Sequence, residues 1–372
     1  MKKNLAMITS ARGGLAHYGT QLYGPLQKYV NPFYITYADV MIDDIVRENI
    51  NEVYPLIKNN DASSIIETLK FLEEKKITHI NFHVATTARK YHMHYIALLS
   101  KARLAGIKVI GTIHDVMPFE SFYINPSAIE LLYSCMDHYI VGSVAESEKL
   151  QLYFQVPEDK ITIINHGPYT IFNNHKFDKK TAQKQLGIPA DKKVILFFGF
   201  LRPHKGLKYL IKAFKGVRKE VKDAWLYIST DLNYSPQLKE LFQMIGRTGV
   251  ADSIQLIKKY VSSSEIEPIF KAADVVVLPY TQVSQSGVLN IAYAFKKPVV
   301  VTDIFPEAST IENKFGKVAK KGDVDSLKNS IIDLLNNPEK AEKYGLAAYE
   351  YAARENSWEN MAEKLNKIIE NV

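Results

Sequence analysis

The sequence predicts an α/β protein made of two doubly wound domains. Short runs of β-branched and aromatic residues alternate with stretches of helical period along all 372 residues, which is typical of parallel sheets with crossover helices. This length suits two ordinary domains better than a single core. The alternation begins again after the polar stretch Asn173 to Lys184, which we interpret as the linker.

Strand and helix candidates follow one another along both halves. The first half gives strands at Leu5–Ile8, Phe33–Tyr37, His79–His83, Lys108–His114, His138–Gly142 and Lys160–Asn165, and helices at Ser63–Glu74, Thr87–Leu104 and Ala145–Phe154. The second half gives strands at Lys193–Phe198, Ala224–Ser229, Ser253–Ile257, Val275–Pro279 and Pro298–Thr302. Ligands of such sheets bind where strands end. The loops after Ile8, His114, Phe198 and Tyr280 are therefore the candidate sites.

Composition and charge narrow the class of protein. Apolar residues make up 47% and charged residues 23%, so both domains should fold. No apolar run approaches the roughly 20 residues that cross a bilayer, which predicts a cytoplasmic protein. The only cysteine, Cys135, lies in an apolar helical pattern and is expected to be buried and inert.

The net charge of +7 is compatible with nucleic acid, an anionic membrane or phosphate-bearing substrates. The sequence contains no helix-turn-helix, zinc finger or RNA-binding signature, so we do not expect nucleic acid to be a partner.

Two loops of the first half carry polar groups at predicted strand ends. Gly13 and Gly14 precede a helix, where backbone amides favour negative charge. The pattern is not G-x-G-x-x-G, and a tight turn is the alternative. His114 and Asp115 end another strand, where structural and functional interpretations both remain open. No metal site is predicted, because His83 and His114 lack an obvious third ligand.

Two loops of the second half are suited to phosphate. Gly199 opens a loop in which Arg202 and Lys205 flank the start of a helix, a favourable seat for a diphosphate. A pair of solvated surface cations is the alternative. The last loop contains small polar residues before another helix, namely Ser284, Gln285, Ser286, Gly287 and Val288. Successive amides there would also suit phosphate oxygens.

These features, taken in order, resemble the retaining glycosyltransferases of family 4. The resemblance rests on the Gly-Gly loop, Thr112-Ile113-His114-Asp115, residues 199–206, Ala272-Ala273-Asp274, residues 284–288 and Lys297–Asp303. It implies the GT-B fold, in which two Rossmann-like domains face each other across a cleft. Residues 1–175 would hold the acceptor and 176–356 the nucleotide sugar, with helix 357–372 packing back on the first domain.

The resemblance also implies roles for individual residues. His114, Arg202 and Lys205 would be catalytic, and His17 and Asp115 would lie on the acceptor side. The donor would be bound by Gly13, Gly14, Gly199, Arg202, Lys205, Ser284, Gln285, Ser286, Gly287 and Val288. No metal or cofactor is implied, because a nucleoside-diphosphate sugar is the donor substrate. The acceptor would be a saccharide or a lipid-linked molecule, in polysaccharide or glycoconjugate synthesis.

The sequence departs from the family pattern at three positions. Two glutamates of the family signature fall on Ser284 and Ala292, so their carboxylate contacts to sugar and ribose are lost. The arginine that usually follows the first glycine of the phosphate loop is Phe200, and we expect Arg202 to take its charge role. A catalytically inactive GT-B binding protein is therefore the alternative to a retaining hexosyltransferase-like enzyme.

A basic stretch raises the question of a membrane contact. Arg89, Lys90 and the residues to Tyr95, followed by Lys101, Arg103 and Lys108, would place positive charge among aromatic residues on one helix. Such a surface would contact anionic lipid at the inner face of the membrane. An ordinary crossover helix with a solvated face is the alternative, and both remain open.

Overall fold

The computed structural model describes residues 2–58, 61–84, 92–117, 126–231 and 238–372. The chain divides into two compact units. The first contains Met1–Gly167 and Asn356–Val372, and the second contains Pro168–Glu355. Each unit has its own sheet and its own hydrophobic core.

The described residues of the first unit form a parallel sheet with helices along the crossovers. Its elements are β1 (Asn4–Ile8), α1 (Gly14–Leu26), β2 (Asn31–Tyr37), α2 (Asp44–Asn49), β3 (Val53–Ile57), α3 (Ala62–Glu74), β4 (His79–Val84), α4 (His92–Leu104), β5 (Lys108–Ile113), α5 (Pro126–Ser134), β6 (His138–Val141), α6 (Val144–Phe154) and β7 (Ile161–Ile163). The strand order is β3-β2-β1-β4-β5-β6-β7. The order reverses between β1 and β4, which is where ligands of doubly wound sheets bind.

The second unit repeats this scheme. Its elements are α7 (Lys179–Gln185), β8 (Lys193–Phe198), α8 (Leu207–Glu220), β9 (Ala224–Thr230), α9 (Leu238–Gly246), β10 (Ile254–Lys258), α10 (Ser263–Ala272), β11 (Val275–Leu278), α11 (Gly287–Ala294), β12 (Val299–Thr302), α12 (Ala308–Ile311), β13 (Gly316–Ala319), α13 (Val324–Asn336) and α14 (Pro338–Glu355). The strand order is β10-β9-β8-β11-β12-β13, with the reversal between β8 and β11.

The interior position of β11 explains its composition. Val275, Val276, Val277 and Leu278 are all 0% exposed, because helices cover both faces of a parallel sheet. The predicted α/β class and the two doubly wound sheets are confirmed. A capping box opens α10, where Ser262 and Glu265 bond each other's backbone.

The final helix, α15 (Trp358–Asn371), belongs to the first unit. It packs along α1 through Trp358, whose ring lies 5.1 Å from the ring of Tyr18. The Tyr18 hydroxyl also donates to Met361 Sδ at 3.2 Å. The periodic apolar residues of α15 are buried at these contacts. Tyr18 thus connects α15 with the histidine cluster described below.

Three features of the fold differ from the sequence-based expectations. The stretch Asn173 to Lys184 is not an open linker, because α7 begins within it at Lys179 after an N-cap by Asp178. Strands β3 and β13 were missed. Pro55 interrupts the apolar pattern of β3, and Gly316–Ala319 of β13 is only four residues long.

The basic stretch does not lie on one helix. Arg89, Lys90 and Tyr91 fall outside the described residues, whereas Lys101 and Arg103 lie on α4 and Lys108 begins β5. Tyr95 is buried in the core, and Arg103 pairs with Asp137 at 3.0 Å. None of the described helices combines the length and apolarity needed to cross a membrane.

Candidate functional site

The first candidate site lies in the second unit, at the strand-order reversal between β8 and β11. The loop after β8 and the loop after β11 are joined by backbone contacts there. Thr281 N–H donates to the His204 carbonyl oxygen at 2.7 Å. Gly206 has a φ of 69° and approaches so closely that a Cβ would lie 1.8 Å from the Pro279 oxygen. Only glycine fits this left-handed, crowded position.

Lys205 lies over this junction. Its Nζ is 3.9 Å from the centroid of the Tyr280 ring, a cation–π distance that orients the ammonium group. Tyr280 is fully buried between the loop and Phe305. Neither loop contains an acidic residue, over 199–206 or 279–288. The site is therefore electropositive.

Arg202 occupies a different position in the same loop. It is exposed, and it lines a cavity of 180 Å³ together with apolar side chains of α8 and α9. Lys205 is not among the residues lining that cavity. Burial and the charges of Lys205 and Arg202 lower the pKa of His204 to about 4. Both cations thus lie near His204, but the structure does not place them on one surface.

The start of α11 supplies the next part of this site. Ser286 caps the helix by accepting from the Leu289 amide at 3.3 Å, and Val288 Cγ2 lies 3.7 Å from the Cβ position of Gly199. The amides at Gly287 and Val288 begin the helix, where partial positive charge favours phosphate oxygens. Ser284 is buried in the loop before this helix.

Buried side-chain oxygens without hydrogen-bond partners lie at the carboxyl ends of strands in the same sheet. Among the described residues, no hydrogen-bond partner is found for the side-chain oxygens of Ser229, Thr230, Tyr280 and Gln285. Ser229 and Thr230 end β9, and Tyr280 and Gln285 lie in the loop after β11. Such groups are costly unless a ligand or water pairs with them. All four lie at the ends of strands or in a loop that follows a strand, on the side of the sheet where a polar ligand would bind.

The second candidate site lies in the first unit, after β1. Gly13 precedes α1 with a φ of 76°, and neither it nor Gly14 has a heavy atom within 4 Å of a Cβ position. The space beside this backbone is open, as a close-approaching ligand requires. His17 Nε2 lies 3.3 Å from Asp43 Oδ2, which orients the ring.

His114 follows β5 at the same edge and is half-buried. Its Nε2 lies 3.4 Å from His83 Nδ1, and His83 Nε2 lies 3.0 Å from Asn81 Oδ1. Asn81 Nδ2 continues the chain to Thr112 Oγ1 at 2.8 Å and to Ile110 O at 3.3 Å. A line of hydrogen bonds therefore runs from the sheet interior to His114. Asp115 is half-buried beside it.

Aromatic rings enclose this histidine pair. Tyr18 meets the rings of His83, His114 and His166 edge-on at 5.1, 4.8 and 4.8 Å. Burial raises the pKa of Tyr18 and lowers that of His83 to about 3. Burial and the two neighbouring imidazoles hold the pKa of His114 well below its usual value. Both rings are therefore neutral at pH 7.

Acidification should destabilise the protein through His83. Burial and the neighbouring His166 lower its folded pKa to about 3, against an ordinary value of 6.5, so the unfolded chain binds a proton that the folded chain does not. Stability is complete above the unfolded pKa and falls as pH decreases from 6.5 toward 3. One such histidine costs about 2 kcal/mol between pH 7 and 5.

Urea unfolding of wild type and His83→Asn at pH 7 and pH 5 measures this effect. The variant should lose about 2 kcal/mol less on acidification than wild type does. His175→Asn, at an exposed histidine, is the matched control and should follow wild type. An identical loss in wild type and His83→Asn would contradict the assignment.

Among the described residues, no group of three or more His, Cys, Asp or Glu side chains is arranged to hold a metal ion. His92 and His94 are both buried in α4.

Comparison with known proteins shows the fold and a family similarity of the second unit. The chain matches Anabaena HepE, solved in complex with UDP and glucose, with a TM-score of 0.82 at 17% identity over 100% of both chains. Together with the two Rossmann-like units, this establishes the GT-B fold. Residues 178–351 match the sequence model of the family described as glycosyl transferases group 1. The second unit is therefore similar to group 1 glycosyltransferases. This match agrees with the predicted resemblance to glycosyltransferases, and membership of family 4 stays a prediction.

Two curated relatives show how far the likeness extends. An uncharacterized glycosyltransferase of Methanocaldococcus jannaschii is 30% identical over 168 residues, which cover 44% of this chain and 42% of that protein. The D-inositol 3-phosphate glycosyltransferase of Thermobispora bispora is 23% identical over 300 residues, 74% of this chain and 69% of that protein. The match to the first of them thus spans less than half of that relative's length.

The structure places the predicted residues in two groups. Gly13, Gly14, His17, His114 and Asp115 lie in the first unit, and Gly199, Arg202, Lys205 and residues 284–288 lie in the second. Sequence reasoning missed Tyr18, His166 and the strand-end pair Ser229 and Thr230. His166 directly follows the last predicted strand of the first half, and that position was a signal that it belonged to the same edge.

Proposed function

We propose that this chain is a retaining, metal-independent glycosyltransferase of family 4 that moves a sugar from a nucleoside-diphosphate sugar to an acceptor hydroxyl. The observation that carries the proposal is the edge of the second unit between β8 and β11. Lys205, the amides that begin α11 and unpaired buried oxygens meet there. Cations and helix N-termini suit a diphosphate, and the unpaired oxygens suit hydroxyl groups.

The proposed mechanism relies on positioning and electrostatics. Lys205 and the loop amides would stabilise negative charge on the departing diphosphate. The leaving phosphate would help to deprotonate the acceptor on the same face of the sugar, which retains the configuration. No pair of carboxylates is needed for this route, in contrast to retaining glycosidases. No cofactor takes part.

The absent glutamates shape the proposed donor contacts. Ser284 and Ala292 occupy the two positions, and Ala292 is a fully buried residue of α11. Neither side chain supplies a carboxylate. We propose that Gln285 Oε1 and the Tyr280 hydroxyl, both buried and unpaired among the described residues, pair with hydroxyls of the nucleotide sugar. Arg202 would contribute charge at longer range.

The acceptor is proposed to be a hydroxyl of a saccharide or of a lipid-linked molecule, in polysaccharide or glycoconjugate synthesis. The relative from Thermobispora bispora is named for D-inositol 3-phosphate, a polyol. A cyclic polyhydroxy acceptor is consistent with that name. His17 and Asp115 of the first unit would face it, and a contact with anionic membrane lipid would serve a lipid-linked acceptor.

The loss of both glutamates also supports a second candidate, a GT-B protein that binds sugar nucleotides without transfer. A panel of UDP-, GDP- and ADP-sugars separates the enzyme from the binding protein. Each sugar nucleotide is tested first by thermal shift and then by release of nucleoside diphosphate in the presence of saccharide acceptors. An enzyme releases nucleoside diphosphate even in the presence of EDTA, which removes divalent metal ions, and it gives a product of retained configuration. A binding protein is stabilised but releases nothing. If no sugar nucleotide stabilised the protein, both candidates would be wrong.

His114→Ala should reduce transfer about ten- to a hundredfold, because one hydrogen bond in the reacting complex is lost. Affinity for nucleoside diphosphate should stay within about twofold of wild type, since the proposed nucleotide seat is built from residues of the second unit. Initial rates and calorimetric titration measure the two effects.

The matched control for His114→Ala is His138→Ala. His138 is a half-buried histidine that begins β6, at the opposite end of the same sheet. Comparable melting temperatures of the two variants exclude a general folding defect. Wild-type turnover in His114→Ala would remove this residue from the site.

A further inference from the structure

The hydrogen-bond chain that ends at His114 fixes where its protons lie. The chain begins at the Ile110 carbonyl, which can only accept a hydrogen bond. The Asn81 side-chain group 3.3 Å away must therefore be its amide nitrogen. The reverse orientation would place two acceptor oxygens against each other inside the sheet. Asn81 Oδ1 consequently faces His83.

This orientation determines the tautomer of His83. Asn81 Oδ1 lies 3.0 Å from His83 Nε2 and can only accept, so His83 Nε2 carries a hydrogen. Burial lowers the pKa of His83 to about 3, so the ring is neutral and has one N–H. Its Nδ1 is therefore a bare acceptor.

The same reasoning extends to His114. Its Nε2 lies 3.4 Å from the bare His83 Nδ1 and must donate to it. Because the pKa of His114 is also held well below its usual value, this ring is neutral as well. Its Nδ1 carries a lone pair, and no donor within the described chain is paired with that atom.

We propose that His83 is a positioning residue that holds His114 in the Nε2–H tautomer and so presents the Nδ1 lone pair of His114 to a hydroxyl group of a bound sugar. The inference deepens the proposed function and rests on it for the nature of the ligand. It assigns His114 as a hydrogen-bond acceptor. A phosphate oxygen, which also accepts, is not a partner for that nitrogen.

Two variants of nearly equal shape test the role of His83. His83→Asn keeps an acceptor oxygen two bonds from Cβ, at the place of Nδ1, whereas His83→Leu removes it. Both leave Asn81 Oδ1 without its present donor, so that loss is matched. Full-length protein labelled with ¹⁵N-histidine gives the tautomer directly, because protonated and bare ring nitrogens differ widely in chemical shift. A His114→Gln spectrum assigns the His114 signals.

Wild type and His83→Asn should show His114 as a single Nε2–H tautomer, and His83→Leu should show a mixture of tautomers. With an active donor and acceptor pair, His83→Leu should lower kcat about three- to tenfold. His83→Asn should restore most of it, and nucleoside-diphosphate affinity should be unchanged in both variants.

An Nδ1–H or mixed His114 in wild type would overturn the proposal. So would an unchanged tautomer in His83→Leu. The wild-type spectrum decides even if His83→Leu does not fold. It also needs no substrate, so a failure of the proposed glycosyl transfer is distinguished from a failure of the tautomer assignment.

Discussion

Lys205→Ala is expected to weaken nucleoside-diphosphate binding about ten- to a hundredfold, which corresponds to about 1.5–3 kcal/mol for a charge-assisted contact. The ammonium group lies 3.9 Å above the Tyr280 ring. No carboxylate pairs with it in the described part of the chain. Its hydrogen-bond donors are thus available to an anionic ligand.

Calorimetric titration with nucleoside diphosphate measures this change. Lys205→Met keeps the apolar stem near Tyr280 and removes the charge, so it should bind as weakly as Lys205→Ala. Lys208→Ala serves as the control, because Lys208 is an exposed lysine three residues further along, in the first turn of α8. Wild-type affinity in Lys205→Ala would show that the diphosphate is bound elsewhere.

Gly206→Ala is expected to destabilise the protein by roughly 2–5 kcal/mol, since two penalties combine. The φ of 69° costs a non-glycine residue about 1–2 kcal/mol. The added Cβ would also lie 1.8 Å from the Pro279 oxygen, and relieving such overpacking costs about 1–3 kcal/mol. The loop must move away from β11, so nucleotide binding should decrease as well.

Gly249→Ala separates the two penalties. Gly249 has a φ of 74° and open space around its Cβ position, so it should lose only the conformational part, about 1–2 kcal/mol. Urea unfolding of both variants gives the difference. Equal destabilisation would contradict the close contact between the two loops.

The sequence predicted most of the fold because a doubly wound sheet produces a local pattern, in which β-branched and aromatic strand segments alternate with segments of helical period. The strand Lys193–Phe198 has the predicted limits, and the predicted strand Val275–Pro279 corresponds to β11. Strands β3 and β13 were missed because a proline and a short length weaken the period-two signal. The prediction of an open linker was wrong because the sequence of α7 is mostly polar, and its packing against α10 is visible only in the folded structure.

The candidate site was predicted in part. Lys205 and residues 284–288 lie in the loops that follow two predicted strands, so their positions could be predicted from the sequence. The hydrogen-bond chain through Asn81 and His83 could not, because it joins neighbouring strands whose register is set only in the folded sheet. Arg202 shows the converse limit. Its charge predicted that Arg202 would act together with Lys205, but the turn at 203–205 places Arg202 at a separate cavity.

The measurement that tests the central claim most directly is a crystal structure of the full chain with nucleoside diphosphate. The account predicts the diphosphate at the edge between β8 and β11, within about 3 Å of Lys205 Nζ and of the amides that begin α11. It also predicts hydroxyls paired with Gln285 Oε1 or the Tyr280 hydroxyl. Nucleoside diphosphate bound away from this edge, with Lys205 in contact only with solvent and Tyr280, would contradict the account.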